Sequence, residues 1–189
     1  MQSNKKITDK RRFSVVMKIT AIVIVMAILI GSTAIYAGYY LHSTTMNQYY
    51  KNQVVNISKT LSKYIPADYI EQLKEAASDP ELETVREEAI ASDNPDLVKD
   101  WMIQKGVYDD YEKVLSILED FRNNMGMTYV YVLNNQANYS TYLADPDEDM
   151  TIFGKREDNT AGFEQYTSNE EIPPTVSEGE YGWLCSGYE

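Results

Sequence analysis

Cysteine and histidine are almost missing from this chain: Cys185 and His42 stand alone. A single cysteine excludes an intrachain disulfide and a thiolate zinc site, so a folded domain has to hold by packing. His42 has no second ligand at metal spacing, and no metal site is expected. Basic residues are scarce beyond residue 18, where 28 acids face 11 bases, a balance of −17. Such a surface repels nucleic acid and anionic lipid headgroups. No glycine-rich phosphate loop, nucleophile elbow or paired Cys/His motif occurs, so neither a cofactor nor a catalytic residue is assigned. The acidic run Asp145-Pro146-Asp147-Glu148-Asp149 has the look of a calcium loop. Met150 stands where such a loop needs glycine, however, and Arg156 where it needs glutamate. A solvated polar loop over Asp145–Thr160 is the expectation.

Charge is also absent from Ile19–Leu41, and here the absence is informative. The run holds 23 residues without Asp, Glu, Lys, Arg or His, and a bilayer core needs roughly 20 apolar residues in helix. Lys5, Lys6, Lys10, Arg11, Arg12 and Lys18 precede it against Asp9 alone. The excess of bases places residues 1–18 in the cytoplasm as a basic leader, and residues 42–189 outside the membrane. Tyr36, Tyr39 and Tyr40 lie at the far end, where amphipathic rings favour the headgroup layer. A cleaved leader is the alternative, with Ser32-Thr33-Ala34 as its small residues; the long charged start and the apolar character through Leu41 favour an uncleaved anchor. Either way the remainder is exported.

Leu41–Ile65 contains no Gly or Pro and continues the membrane helix as a stalk until Pro66 breaks it. Tyr50, Val54, Ile57, Leu61 and Tyr64 recur at steps of four and three, a seam suited to pairing two copies or to packing on the domain. Helices follow over Ala67–Ala77, Glu81–Ala91 with Leu82, Val85, Ala89 and Ile90 inward, a segment carrying Leu97, Trp101 and Met102, and Tyr108–Met125. Asp79-Pro80 and Asp93-Asn94-Pro95 are read as start signals, Gly106 and Gly126 as stops. At Gly126 the period becomes alternating. Met127–Leu133 and Tyr139–Ala144 are predicted as an antiparallel pair around a turn at Asn134-Asn135. Ala161–Thr167 is read as a short helix, Pro173-Pro174 and Gly179 as loop, and Tyr181–Tyr188 as a third strand. The fold class is therefore α+β with an incomplete antiparallel sheet, and further strands are expected beyond Glu189.

Tyrosine is abundant, sixteen in all. Tyr129, Tyr131, Tyr139, Tyr142 and Trp183 alternate on the predicted strands, and Arg122 lies near the end of the preceding helix. Hydroxyls and an indole N–H orient a small molecule, and a guanidinium pairs with a carboxylate. The candidate ligand-binding residues are Arg122, Tyr129, Tyr131, Tyr142 and Trp183, with ordinary sheet packing as the plain alternative for each.

The order of parts, with YVYVL, a turn, YLADPDED, FG and a late GWLCSGYE, is similar to the bacterial extracytoplasmic Cache sensors, which are PAS-like. The resemblance covers most of residues 13–189. It implies a sheet with a long N-terminal helix behind it and a small ligand on the sheet face, held by Tyr129, Tyr131 and Tyr142. It also implies a second span and a cytoplasmic output domain beyond Glu189, of histidine kinase, diguanylate cyclase or chemotaxis type. Partners would be a small molecule, the bilayer and a second copy paired through the stalk helix. A single-span exported structural or adhesive protein is the competing reading.

Overall fold

The structure, a computed structural model, describes residues 15–136, 138–158, 172–179 and 182–188. It separates into two units, Met1–Tyr49 and Tyr50–Glu189. The basic leader and the segment read as a helix over Ala161–Thr167 lie outside the described residues, as does the side chain of Trp183.

In the first unit the described chain is helical throughout. It belongs to α1 (Val15–Tyr64), which by length and composition is able to cross a membrane. Its apolar side chains are uncovered: Ile22, Ile30 and Ile35 are 63%, 65% and 76% exposed.

The second unit begins with the last turns of α1 and is mixed helix and sheet. The helix stops before Pro66, whose missing N–H and ring end the ladder. Four helices follow: α2 (Ala67–Ala77), α3 (Pro80–Ser92), α4 (Asp96–Lys105) and α5 (Tyr108–Met125). Asp79 caps α3 by accepting from the Glu81 N–H at 2.9 Å, with Pro80 in the first turn. Lys105 reaches back from the end of α4 to Asp79 at 2.7 Å and Glu81 at 3.0 Å. Gly106 and Gly126 close α4 and α5 with φ of 74° and 64°. Asp93 does something other than expected. It does not open α4 but closes α3 in the left-handed conformation at φ 51°, which a short polar side chain tolerates.

Leu73, Leu82, Val98, Met102, Tyr111, Val114 and Leu118 from these helices meet Leu143 and Phe153 in one core. Ile90, predicted inward, is 60% exposed, and Arg86 takes the buried place on α3 instead. The stalk seam resolves toward packing. Val54 and Ile57 are buried within the second unit and Leu61 packs on its core. Gly187 lies so close to α1 that a Cβ built there would be 2.7 Å from the Val54 carbonyl carbon.

The main sheet has the order β1 (Val132–Asn135), β2 (Tyr139–Ala144), β3 (Arg156–Asp158), all antiparallel. A separate hairpin joins β4 (Thr175–Gly179) to β5 (Gly182–Ser186). β2 matches the predicted strand. β1 starts five residues later than predicted, because Met127–Tyr131 has no partner strand among the described residues. β3 and β4 were expected to be loop, since Arg-Glu-Asp and Thr-Val-Ser-Glu-Gly carry too little apolar pattern to mark a strand.

The acidic connection from β2 to β3 keeps Asp147, Glu148 and Asp149 exposed, as expected, and is also fastened to the domain. Arg86, buried on α3, donates through Nε to the Thr151 carbonyl at 2.8 Å and pairs with Glu83 at 2.9 Å. Asp149 accepts from the Thr151 N–H at 2.8 Å and caps a 3₁₀ turn over Met150–Ile152. Phe153 is fully buried, edge-on to Tyr111 at 5.6 Å. Gly154, at φ 77°, lies flat on α3, where a Cβ would collide with Leu82 Cδ2. Gly154→Ala combines a left-handed backbone with that collision and should cost about 1–3 kcal/mol. Gly106→Ala has a similar φ of 74° but open space around it, and should cost only the backbone part, about 1 kcal/mol. Thermal unfolding of both variants in detergent checks this; equal losses would refute the close packing of Gly154 on α3.

Candidate functional site

Alternation along residues 130–133 sends Val130 and Val132 inward and Tyr131 outward. Leu133 pairs with Tyr142 across the β1–β2 ladder, just past an irregularity of register between Val132 and Leu133, and the Tyr142 ring comes beside that of Tyr131. The two rings lie 6.0 Å apart at 48°, although Asn134 and Asn135, predicted as the turn, pair instead with Thr141 and Ser140 inside the ladder. Tyr131 is 49% exposed. Tyr142 is half-buried and is locked by its backbone, which donates to the Lys155 carbonyl at 2.9 Å and accepts from the Gly154 N–H at 2.8 Å.

The surroundings of these rings are charged, which sequence reasoning missed. The Tyr142 hydroxyl donates to Glu157 Oε2 at 3.3 Å, and Lys155 Nζ holds the other oxygen of Glu157 at 2.6 Å. The same ammonium stands 5.5 Å from the centre of the Tyr142 ring. On the neighbouring strand the Arg156 guanidinium stands 5.0 Å from the Tyr139 ring centre. Asp145, at the end of β2, is buried and accepts from the Asp147 N–H at 2.9 Å. Burial, Glu157 and Tyr131 push the Tyr142 hydroxyl up to about 12. Burial raises Tyr131 as well, with Tyr188, Asp145 and Glu157 adding to it. These assignments hang on β3, whose short polar run gave no strand signal; the alternation of Lys155 and Glu157 beside Tyr142 was the available clue.

Of the remaining predicted residues, Arg122 and Tyr129 lie outside β1 and β2, and the side chain of Trp183 is not among the described ones. The Arg122 guanidinium forms an ion pair with the chain's own Asp147. Tyr129 precedes β1 and is 41% exposed. Trp183 is placed by its backbone in β5, opposite Glu178. Among the described residues no group of three His, Cys, Asp or Glu side chains is arranged to hold a metal ion. Cys185 is half-buried, and burial raises its thiol, which disfavours the reactive thiolate. Comparison with protein-family models, curated proteins and solved structures finds nothing that matches the chain.

Burial holds the Asp145 carboxyl above its ordinary value, against a smaller opposing pull from the Asp147 N–H and Arg122. A carboxyl raised in the folded state binds its proton more tightly there than in the unfolded chain. Stability therefore falls as pH rises through the interval above the ordinary carboxylate value. Asp145→Asn keeps an acceptor for the Asp147 N–H and removes the charge. It should melt higher than the wild type at pH 7, and the gap should shrink as pH is lowered into the ordinary carboxylate range. A gap constant with pH would show that Asp145 ionisation is not the cause.

Proposed function

We propose that this chain is the membrane-anchored, extracytoplasmic sensing module of a bacterial signal-transduction receptor, with a Cache-like (PAS-like) domain. In this reading Ile19–Leu41 spans the bilayer with the basic leader inside. The apolar side chains left uncovered along α1 support it, because they need lipid around them. A small molecule settles on the Tyr131–Tyr142 face, and the domain passes between two arrangements that differ at α1.

One observation carries the reading. Tyr188 is near enough to Tyr131 to act on it electrostatically, and the residue before it, Gly187, rests on α1 at Val54. In this reading the ligand face and the helix leading to the membrane communicate through these two consecutive residues. Output then belongs to a cytoplasmic domain, and pairing of two copies supplies the partner against which α1 moves. Val54 and Ile57 are engaged by their own domain, so the pairing face is the exposed one carrying Asn52, Asn56 and Lys63. Cysteines placed singly at positions 52 and 56 should crosslink between chains more readily than cysteines at 54 and 57. The reverse order would exclude this face; Cys185 is replaced first.

Thermal unfolding of the full chain in detergent, screened against small metabolites, tests the sensing role. One class of compound is expected to raise the midpoint, and Tyr131→Phe should weaken that rise while leaving the unliganded midpoint in place. If no class of metabolite raises it, the sensing role fails and a structural or adhesive role becomes the better account.

A further inference from the structure

The rings of Tyr139, Tyr142 and Tyr131 differ in what stands against them. Tyr139 has Arg156 against its ring and Tyr142 has Lys155. Among the described residues no cation stands over Tyr131, which is half exposed and borders Tyr142 at 6.0 Å. The faces of phenol rings attract cations, and a carboxylate nearby strengthens the attraction. Lys155 shows the pattern within the chain itself: one ammonium lies on a tyrosine ring and against Glu157, whose other oxygen accepts from the Tyr142 hydroxyl. Asp145 and Glu157 both act electrostatically on Tyr131 as well. Arg122, the guanidinium placed by sequence to receive an anion, is paired with Asp147. The charges close to the ring are of both signs, Lys155 and Arg156 beside Glu157 and Asp145, and it is the balance of −17 beyond residue 18 that favours a cation at the open ring.

We propose that the ligand of this face is a small organic cation, a primary amine or a quaternary ammonium, seated on the open ring of Tyr131 within reach of Asp145 and Glu157. This deepens the sensing role and rests on it. Seated on Tyr131, the cation shares Glu157 with Lys155, which is therefore an internal competitor for that carboxylate. Carboxylates and other anions are repelled. Neutral compounds gain the ring contact without the charge.

The probes are tetramethylammonium and n-butylammonium chloride, with sodium acetate and sodium chloride at matched ionic strength, titrated against the full chain in neutral detergent. Binding is read from the unfolding midpoint and from saturation-transfer NMR of the probe. At least one of the two cations is expected to bind saturably, and acetate not at all. Glu157→Gln, on an exposed strand, and Tyr131→Leu should each weaken cation binding by about fivefold or more. Lys155→Gln should tighten it. Lys74→Gln makes the same change in net charge on α2 and should leave it unaltered, which separates a local seat from the general acidity of the domain. Cation binding indifferent to Tyr131 and Glu157, or tightened equally by both lysine changes, overturns the proposal. Saturable, Tyr131-dependent binding of an anion or neutral metabolite would overturn the ligand class and leave the sensing role standing. No binding by any class would remove both.

Discussion

Arg86 is a cation placed inside the domain, 6% exposed, and the rest of the second unit is arranged around keeping it satisfied. A buried charge without partners costs several kcal/mol. Its partners are Glu83 on the same helix and the Thr151 carbonyl, which is 65 residues away in the chain. That long-range bond fixes the connection between β2 and β3 onto α3, and Gly154 lets the backbone lie against Leu82 directly. The two strands flanking this connection carry Tyr142 on one side and Glu157 on the other. The charged tyrosine face is thus a consequence of how the loop is fastened from below. Asp149 and Asp145 accept from backbone N–H groups of the same loop, and Asp147 pairs with Arg122 of α5.

Helices were legible because their signals are local. Pro66, the Asp79-Pro80 cap and the glycines at 106 and 126 act within one turn, and α2 and α5 fall where those signals place them. Which face of a helix turns inward is less local. The seam Leu82, Ala89 is buried as its spacing requires, but Ile90 is exposed and Arg86 buried. The reason is the neighbour: the loop brings a carbonyl to α3, and a carbonyl recruits a guanidinium where an isoleucine has nothing to offer it. Likewise the heptad seam of the stalk could not say whether its partner was another copy or its own domain. Val54 meets Gly187, 133 residues later, a contact with no trace in the spacing of apolar residues.

The candidate site was legible to the extent that it rests on alternation. Tyr131 and Tyr142 come together as alternation suggested, although an irregularity of register between Val132 and Leu133 interrupts that alternation. The residues that set its charge were hidden for a different reason. Lys155 and Glu157 lie at and beside a three-residue strand whose pairing is supplied by β2, so the sheet creates the strand rather than the reverse. Arg122 shows what spacing along the chain leaves out. A guanidinium near a sheet edge was read as a receptor for a carboxylate, and the carboxylate it receives is the chain's own Asp147.

Gly187 has one more implication, which concerns stiffness. Most contacts between a strand and a helix run through side chains, whose torsions absorb a displacement of a few tenths of an ångström before the backbone feels it. At Gly187 the strand end meets α1 backbone to backbone, at a spacing that leaves no room even for a methyl group. Such a joint has almost no compliance. Whatever moves the end of β5 must move α1 near Val54 by nearly the same amount, or pull the two apart. Any other residue at 187 would insert slack as well as bulk, and the linkage would then be lost even where the fold survived.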